Sequence, residues 1–519
     1  MIDLRPDFLD TLKRLLAEIV PDCEVRIFGS RYNWTATDAS DLDLALVGPG
    51  KLHWKTLARL KSALEESSLP YRVDVLDWRA ISPDFQKVIK QGYEVIQKPG
   101  LGMSSSGWQQ TTLDKVSQII CGATPSTSVP EYWSDEIKWV TAKDVSESTG
   151  YKIYDTERTI SKLGFENCST RIIPRESTIL IARGATMGKS CMLGEDMAIN
   201  QTCYALVPDI DKINPYFLFY SIKILNNFFQ QIAHGAIFNT VIGSGLRGTE
   251  ISLPPLSTQR RIAGILSALD DKIELNRQTN ATLEAIAQAI FKEWFVDFNF
   301  PGATGEMQDS ELGPIPNGWR IGKLGEVANI KHGFAFKGEY FSEVETGTIL
   351  LTPGNFRIGG GFNYSKFKYY DGEVPIEYVL NRGDLIVTMT DLSKEGDTLG
   401  YSALVPMIDG KMLLHNQRIG KVNSTLGNSW EFYLYFTMQQ KDYRDYILSG
   451  ATGTTVKHTS PTRIYDYRIA LPSLNILQLF ESTVSAVIVL MEHIQMQSVA
   501  LATLRDALLP KLMSGEIEV

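Results

Sequence analysis

LPPLSTQRRIAGILSALDDKIELNRQTNATLEAIAQAIFKEWFVDFNF, residues 253–300, decides how the chain is organised. A Leu-Pro-Pro-Leu turn opens it, and the pattern that follows has no proline and, apart from Gly264, no glycine until its end. Apolar residues recur at Ile262, Leu266, Leu269, Ile273, Leu283, Ala287, Ile290 and Trp294, with Asn276 and Asn280 in the gap. Steps of four and three are those of a coiled-coil seam. A second such unit, LPSLNILQLFESTVSAVIVLMEHIQMQSVALATLRDALLPKLM, starts at Leu471. Its stripe is Leu477, Phe480, Val484, Val487, Met491, Ile494, Leu501, Leu508 and Leu512. Two such helices in one chain favour intramolecular pairing at high effective concentration. The polar seam residues Asn276, Asn280 and Ser498 are of the kind that fixes register.

The chain ahead of each helix also repeats. GWQQTTLDKVSQIICG, from Gly107, parallels NGWRIGKLGEVANIKHG, from Asn317. IPRESTILIARGATMGKS parallels VLNRGDLIVTMTDLSKEGDTLGYS, and Asn200-Gln201 stands opposite Asn416-Gln417. Such a repeat far exceeds solenoid periods; it is a duplication of whole domains. RGATMGKS imitates a P-loop, but Arg183 stands where the first glycine is required, and a strand-like pattern follows instead of a helix.

The first hundred residues are different. Two amphipathic helical patterns alternate with the strand-like runs EVRIFGS, SDLDLALVG and YRVDVLDW. Gly29-Ser30 closes a strand, where backbone amides and a hydroxyl can hold phosphate oxygens. Asp41 and Asp43 are two apart on a strand and share a face; Asp74 lies on a later one. Three convergent carboxylates need a cation, and Mg²⁺ with substrate phosphates is the usual one. Taken alone, alternating aspartates can also mark the solvent face of a strand. KPGLGMSSSG, from Lys98, reads as a flexible tether.

The 519 residues, 44% hydrophobic and 21% charged, suit several globular domains. Five cysteines without CxxC spacing point to a reducing compartment, and a cytoplasmic location is expected. No apolar run is expected to cross a membrane. A net charge of −9 means that any DNA-binding surface is a local concentration of basic residues. Loop candidates are Arg183, Lys189, Asn239 and Arg247 in the first copy. Those in the second are Lys394, Arg418, Lys457, His458 and Arg463. Asn200-Gln201 and Asn416-Gln417 recur, whereas readers of different half-sites should differ at base contacts; a structural role is expected for both pairs. His234, His332 and His415 have no metal-like spacing.

FGSRYNWTATDASDLDLALV resembles the signature of minimal nucleotidyltransferases of the polymerase-beta-like superfamily. The resemblance implies a triphosphate held by Gly29 and Ser30, and metal held by Asp41, Asp43 and Asp74. Trp34 stands where that family usually carries a glycine. GATPSTSVPEYWSDEIKWVTAKD, IARGATMGKS, AINQ, SLPPLSTQRRIAGILSALDDKIE and the second Leu-Pro helix resemble the specificity subunit of type I restriction–modification systems. That resemblance implies two target-recognition domains, each reading half of a bipartite double-stranded DNA site. It also implies two antiparallel spacer helices that dock modification subunits, two of them expected, which restriction subunits join. About 35 helical residues reach on the order of 50 Å, against about 34–36 Å for one DNA turn, so the helices can act as a ruler.

The expected fold is therefore α+β and multidomain. A nucleotidyltransferase-like α/β domain spans 1–98 and a linker 99–107. Target-recognition domains, expected to be α/β, span 108–255 and 319–470. Spacer helices span 256–300 and 471–519, and a linker spans 301–318. The specificity region needs no cofactor or catalysis of its own. Alternatives are an active Mg-dependent nucleotidyltransferase that modifies a protein or RNA, or an inert fused module.

Overall fold

The computed structural model describes residues 3–21, 23–37, 40–48, 52, 54–67, 69–97, 108–184, 186–235, 243–365 and 367–519. The chain forms two units, Met1–Ala268 with Arg505–Val519, and Leu269–Leu504.

The first unit begins with a four-stranded sheet in the order Val73–Asp77, Leu42–Val47, Glu24–Phe28, Glu94–Gln97. Leu42–Val47 runs parallel to Val73–Asp77 and antiparallel to Glu24–Phe28. Leu12 and Leu16 of helix Pro6–Ile19, and Leu60 of Trp54–Glu65, bury one face against Leu42, Leu44 and Leu46. On the other face, Ile89 of helix Pro83–Lys90 packs with Ala45 and Phe28. Period-two alternation thus leaves Asp43 as a polar position beside a covered apolar one.

The two domains that the sequence leads one to expect as recognition domains share one frame. In the first, Ser117–Cys121, Cys203–Pro208, Thr178–Ile181 and Ser190–Leu193 lie side by side in that order, with Lys152–Ile153 at the edge. In the second, Ala328–His332, Ile419–Ser424, Leu385–Thr388 and Ser402–Leu404 repeat the order. A parallel pair recurs too: Ile137–Val140 with Met197–Ile199, and Thr348–Leu351 with Met412–His415. Each domain closes by pairing its first strand with its last, Gln109–Thr112 with Glu250–Leu253 and Arg320–Lys323 with Arg468–Leu471. Antiparallel pairs predominate, so these domains are α+β in detail, not α/β.

Two residues explain why the frame recurs. Gly122 and Gly333 each end the first strand of a sheet. A Cβ on Gly122 would stand 2.3 Å from the Asn200 carbonyl oxygen, and one on Gly333 2.2 Å from that of Asn416. Only glycine lets the two backbones meet so closely. The Asn200 side chain accepts from the Thr202 amide at 3.1 Å, and that of Asn416 from the Arg418 amide at 3.0 Å. Both asparagines are buried turn formers, as expected from their recurrence.

The long helices span Leu256–Phe295, 40 residues, and Leu474–Ser514, 41 residues. In the first unit Ile262, Ala263 and Leu266 pack with Leu509 and Leu512. In the second, Asn276 Nδ2 donates to Gln497 Oε1 at 2.9 Å and to Ser498 Oγ at 3.1 Å. Asn280 Nδ2 reaches the Met491 carbonyl at 3.1 Å. Rising numbers on one helix meet falling numbers on the other, so the helices pair antiparallel. Toward the end of the first helix, the stripe differs from its expected course. Phe291 and Phe295 are buried where Ile290 and Trp294 were expected, and Phe295 meets Phe480 at 4.9 Å. The second recognition domain packs there as well, through Trp319 and Tyr433, so the buried face is wider than a two-helix seam. Arg357 binds Glu284 at 2.7 Å and Arg382 binds Glu492 at 2.6 Å, bracing this domain on both helices.

Three boundaries are corrected. The helices end at Phe295 and Ser514, before 300 and 519. The expected linker 301–318 contains a two-stranded pairing, Met307–Gln308 with Ile315–Pro316, because Ile315 is buried in the core of the second domain. The helix Leu474–Ser514 is, by length and composition, apolar enough to cross a membrane, contrary to expectation; its polar seam partners Gln497 and Ser498 bond Asn276.

Candidate nucleic-acid interface and nucleotide site

Gly29 has a left-handed φ of +78°, and a Cβ there would stand 2.3 Å from Asp43 Oδ2. The Gly29 backbone and the Asp43 carboxylate therefore share one space. Asp43 lies in direct register with Asp74 on the parallel neighbour. Burial, then the charges of Asp74 and Asp41, raise the Asp43 carboxyl above the ordinary carboxylate value. Arg72 draws Asp74 aside at 3.3 Å. Among the described residues, no group of three or more His, Cys, Asp or Glu is gathered tightly enough to hold a metal ion. The donor set nevertheless suits Mg²⁺, since all three groups are hard carboxylates and crowded negative charge is what a cation relieves.

The loop after Gly29 keeps its shape without the usual glycine. Trp34 itself adopts a left-handed φ of 55°, a conformation costly for a bulky side chain. The carbonyl of Ser30 accepts from the Thr35 amide at 3.0 Å, and that of Gly29 from the Asn33 amide at 3.1 Å. Arg31, not singled out from the sequence, is buried beneath. Its guanidinium donates to the Ser40 carbonyl at 2.8 Å and lies 3.7 Å from the centroid of Tyr71. It pins both ends of the loop.

In the second recognition domain, four of the five basic candidates converge. Thr390–Asp391 pairs antiparallel with Lys457–His458, and the Met389 amide donates to the Arg418 carbonyl at 3.0 Å. Lys394 lies on the loop that leaves Asp391, so Lys394, Arg418, Lys457 and His458 share one rim of the sheet. Thr390 Oγ1 and His458 Nδ1 are 3.1 Å apart. Arg463 is turned inward instead. It donates to the Tyr446 carbonyl at 2.7 Å, and its guanidinium lies 3.5 Å from the centre of the Tyr446 ring. That makes it a clamp for the turn at Gly450, beneath the rim.

The first domain has the same rim with shorter furniture. The Ala182 amide donates to the Thr202 carbonyl at 2.8 Å, as Met389 does to Arg418. Arg183 and Lys189 are exposed at either end of a tight turn, in which the Met187 amide donates to Gly184 at 3.1 Å. Lys189 Nζ rests on the Ser146 carbonyl at 3.3 Å. Ser190–Leu193 continues as a strand, so RGATMGKS is a turn between strands and not a P-loop. Arg247 is exposed at the end of helix Gly243–Arg247, the counterpart of Pro461–Tyr465. Asn239 lies outside the described residues. His234 lies where no side chain is described; His332 is exposed. His415 is a core residue, its Nε2 2.9 Å from the Ile419 carbonyl, and burial lowers its pKa to about 4.

Comparison with known proteins follows these divisions. Residues 105–285 match the family described as "Type I restriction modification DNA specificity domain". Residues 23–99 match "Polymerase beta, Nucleotidyltransferase". The chain is 28% identical over 431 residues to the type I restriction enzyme MjaIX specificity subunit of Methanocaldococcus jannaschii, covering 81% of this chain and 95% of that protein. It is 26% identical over 383 residues to the HindI specificity subunit of Haemophilus influenzae, covering 62% and 82%. Its first part is 43% identical over 97 residues to "Probable protein adenylyltransferase MntA" of Haemophilus influenzae, covering 19% of this chain and 85% of that protein.

Proposed function

We propose that the chain is a specificity subunit of the type I restriction–modification kind, with a polymerase-beta-type nucleotidyltransferase domain joined ahead of it. It reads a bipartite double-stranded DNA site through the two recognition domains, in the cytoplasm. The long helices set the gap between the half-sites and dock two modification subunits, which methylate adenine; restriction subunits join that assembly. The observation that carries this reading is the duplication itself, one sheet frame twice, each copy leading into a helix of 40 or 41 residues. Leu275, Ile286, Leu490 and Val499 are exposed apolar side chains on those helices, available to a docked partner. Arg183, Lys189, Arg247, Arg418 and Lys457 would hold phosphates and so register the domains on the duplex. The test is co-expression with the modification subunits and mapping of methylated adenines.

A second activity is favoured by the close approach of Gly29 to Asp43. Gly29 and Ser30 would hold a nucleoside triphosphate, and Asp41, Asp43 and Asp74 a Mg²⁺ ion. That ion, when bound, would supply charge to stabilise departing pyrophosphate. The acceptor would be a hydroxyl of a protein or RNA. Labelled ATP with Mg²⁺, wild type against Asp41→Asn/Asp43→Asn, tests it: label transfer lost in the variant supports the activity, and no transfer onto any co-purified partner supports an inert module.

A further inference from the structure

We infer that the second recognition domain reads bases with the loop between Asp391 and Thr398, presented as a rigid protrusion, and that Arg444 and Asp391 are its positioning residues. The inference rests on the reading of the chain as a DNA specificity subunit.

The first argument is a difference between the copies. Their sheets, closing strands, strand-end glycines and turn asparagines correspond. Between the corresponding strands Thr178–Ile181 and Ser190–Leu193, the first copy has a tight turn; between Leu385–Thr388 and Ser402–Leu404, the second has a longer excursion, MTDLSKEGDTLGY. Residues that maintain the frame must agree in both copies. Residues that read different half-sites must not. This connection is one place where the copies part while their frame is kept.

The second argument is that the excursion is held from beneath. Asp391, buried, accepts from the Ser393 amide at 2.7 Å and from Thr398 Oγ1 at 2.6 Å, closing the loop neck. The buried Arg444 donates to the Leu399 and Gly396 carbonyls and lies 4.5 Å from the centre of the Tyr401 ring. Base readout needs such preorganisation, since each loose side chain loses entropy when it docks. A loop that merely connected strands would not need a buried guanidinium.

The third argument is the chemistry at the tip. Leu392 is 62% exposed, and Lys394 and Glu395 are exposed beside it. A carboxylate does not serve a phosphate-binding loop. Together, however, the three side chains offer the contacts that major-groove base edges distinguish: an apolar contact for a thymine methyl, donors for guanine and an acceptor for a cytosine amino group. Arg418 and Lys457 on the same rim supply the phosphate contacts that such a reader requires.

The test uses the full chain co-produced with its modification subunits, with methylated adenines mapped across a genome. Lys394→Ala and Glu395→Ala should each relax or change bases in one half-site only, with discrimination at the affected position falling roughly tenfold or more. The other half-site and the gap should stay fixed. Arg444→Ala should weaken discrimination in the same half-site, and Arg444→Lys should restore part of it. Variants that methylate the wild-type sequence with undiminished discrimination would overturn the loop assignment alone. A wild type that methylates no bipartite site with active modification subunits would overturn the underlying reading instead.

Discussion

Gly333 stands so close to Asn416 that a Cβ on the glycine would lie 2.2 Å from the asparagine carbonyl oxygen. The contact locks the end of strand Ala328–His332 against the turn that precedes Ile419–Ser424. Gly122 and Asn200 repeat it. A methyl group at either glycine meets backbone, which cannot swing aside. Gly333→Ala and Gly122→Ala are each expected to destabilise their own domain by about 2–4 kcal/mol, read as a lower urea midpoint for that domain.

Insertion of one helical turn near Asn276, paired with one in the facing helix, should change only the gap between half-sites. One turn is about 5.4 Å of rise. Mapped methylation sites with a new gap and unchanged half-sites are the expected result; altered half-sites would contradict the spacer role.

The buried His415 should make the second domain acid-sensitive. Its folded-state pKa, about 4, lies below the ordinary 6.5 because burial disfavours the imidazolium. The unfolded chain therefore binds more protons between those values, and stability falls as pH drops through that window. The full effect at the acid limit is about 3 kcal/mol. Protection factors against hydrogen exchange in Met412–His415 and Ile419–Ser424, taken relative to the intrinsic rate at each pH, should fall from pH 6.5 toward 4, and His415→Gln should flatten that dependence.

Glu481 should act in the opposite direction. Burial, then Glu431, lifts its carboxyl to about 7, and one of its oxygens is buried without a hydrogen-bond partner. The folded state favours the protonated form, so the stability it contributes is present below about 4.5 and is lost as pH rises through 7. Glu481→Gln should raise the thermal midpoint at pH 8 and leave it nearly unchanged at pH 4.

Much of this was legible in the residues because it depends on period and repetition. The helix seams and the duplicated frame follow from spacing, whereas the Gly-Ser…Asp-x-Asp site is carried by a family resemblance. Asn200 and Asn416 were readable as structural because they recur. Other features required contacts between distant parts of the chain. Arg444 sits in an aromatic helical run with nothing local to mark it, and its partners Gly396 and Leu399 are elsewhere in sequence. Arg463 resembled a surface cation until its guanidinium was found against Tyr446. The shift from Trp294 to Phe295 arose because a whole domain, and not only a helix, covers that face.

The most direct test of the central claim is the methylation map of the full chain co-produced with its modification subunits. The account predicts modified adenines at one bipartite sequence with a fixed gap. Each recognition domain should determine one half, so that exchanging residues 319–470 for those of a relative changes one half-site only. Methylation at a single continuous sequence, or a domain exchange that leaves both half-sites unchanged, would contradict it.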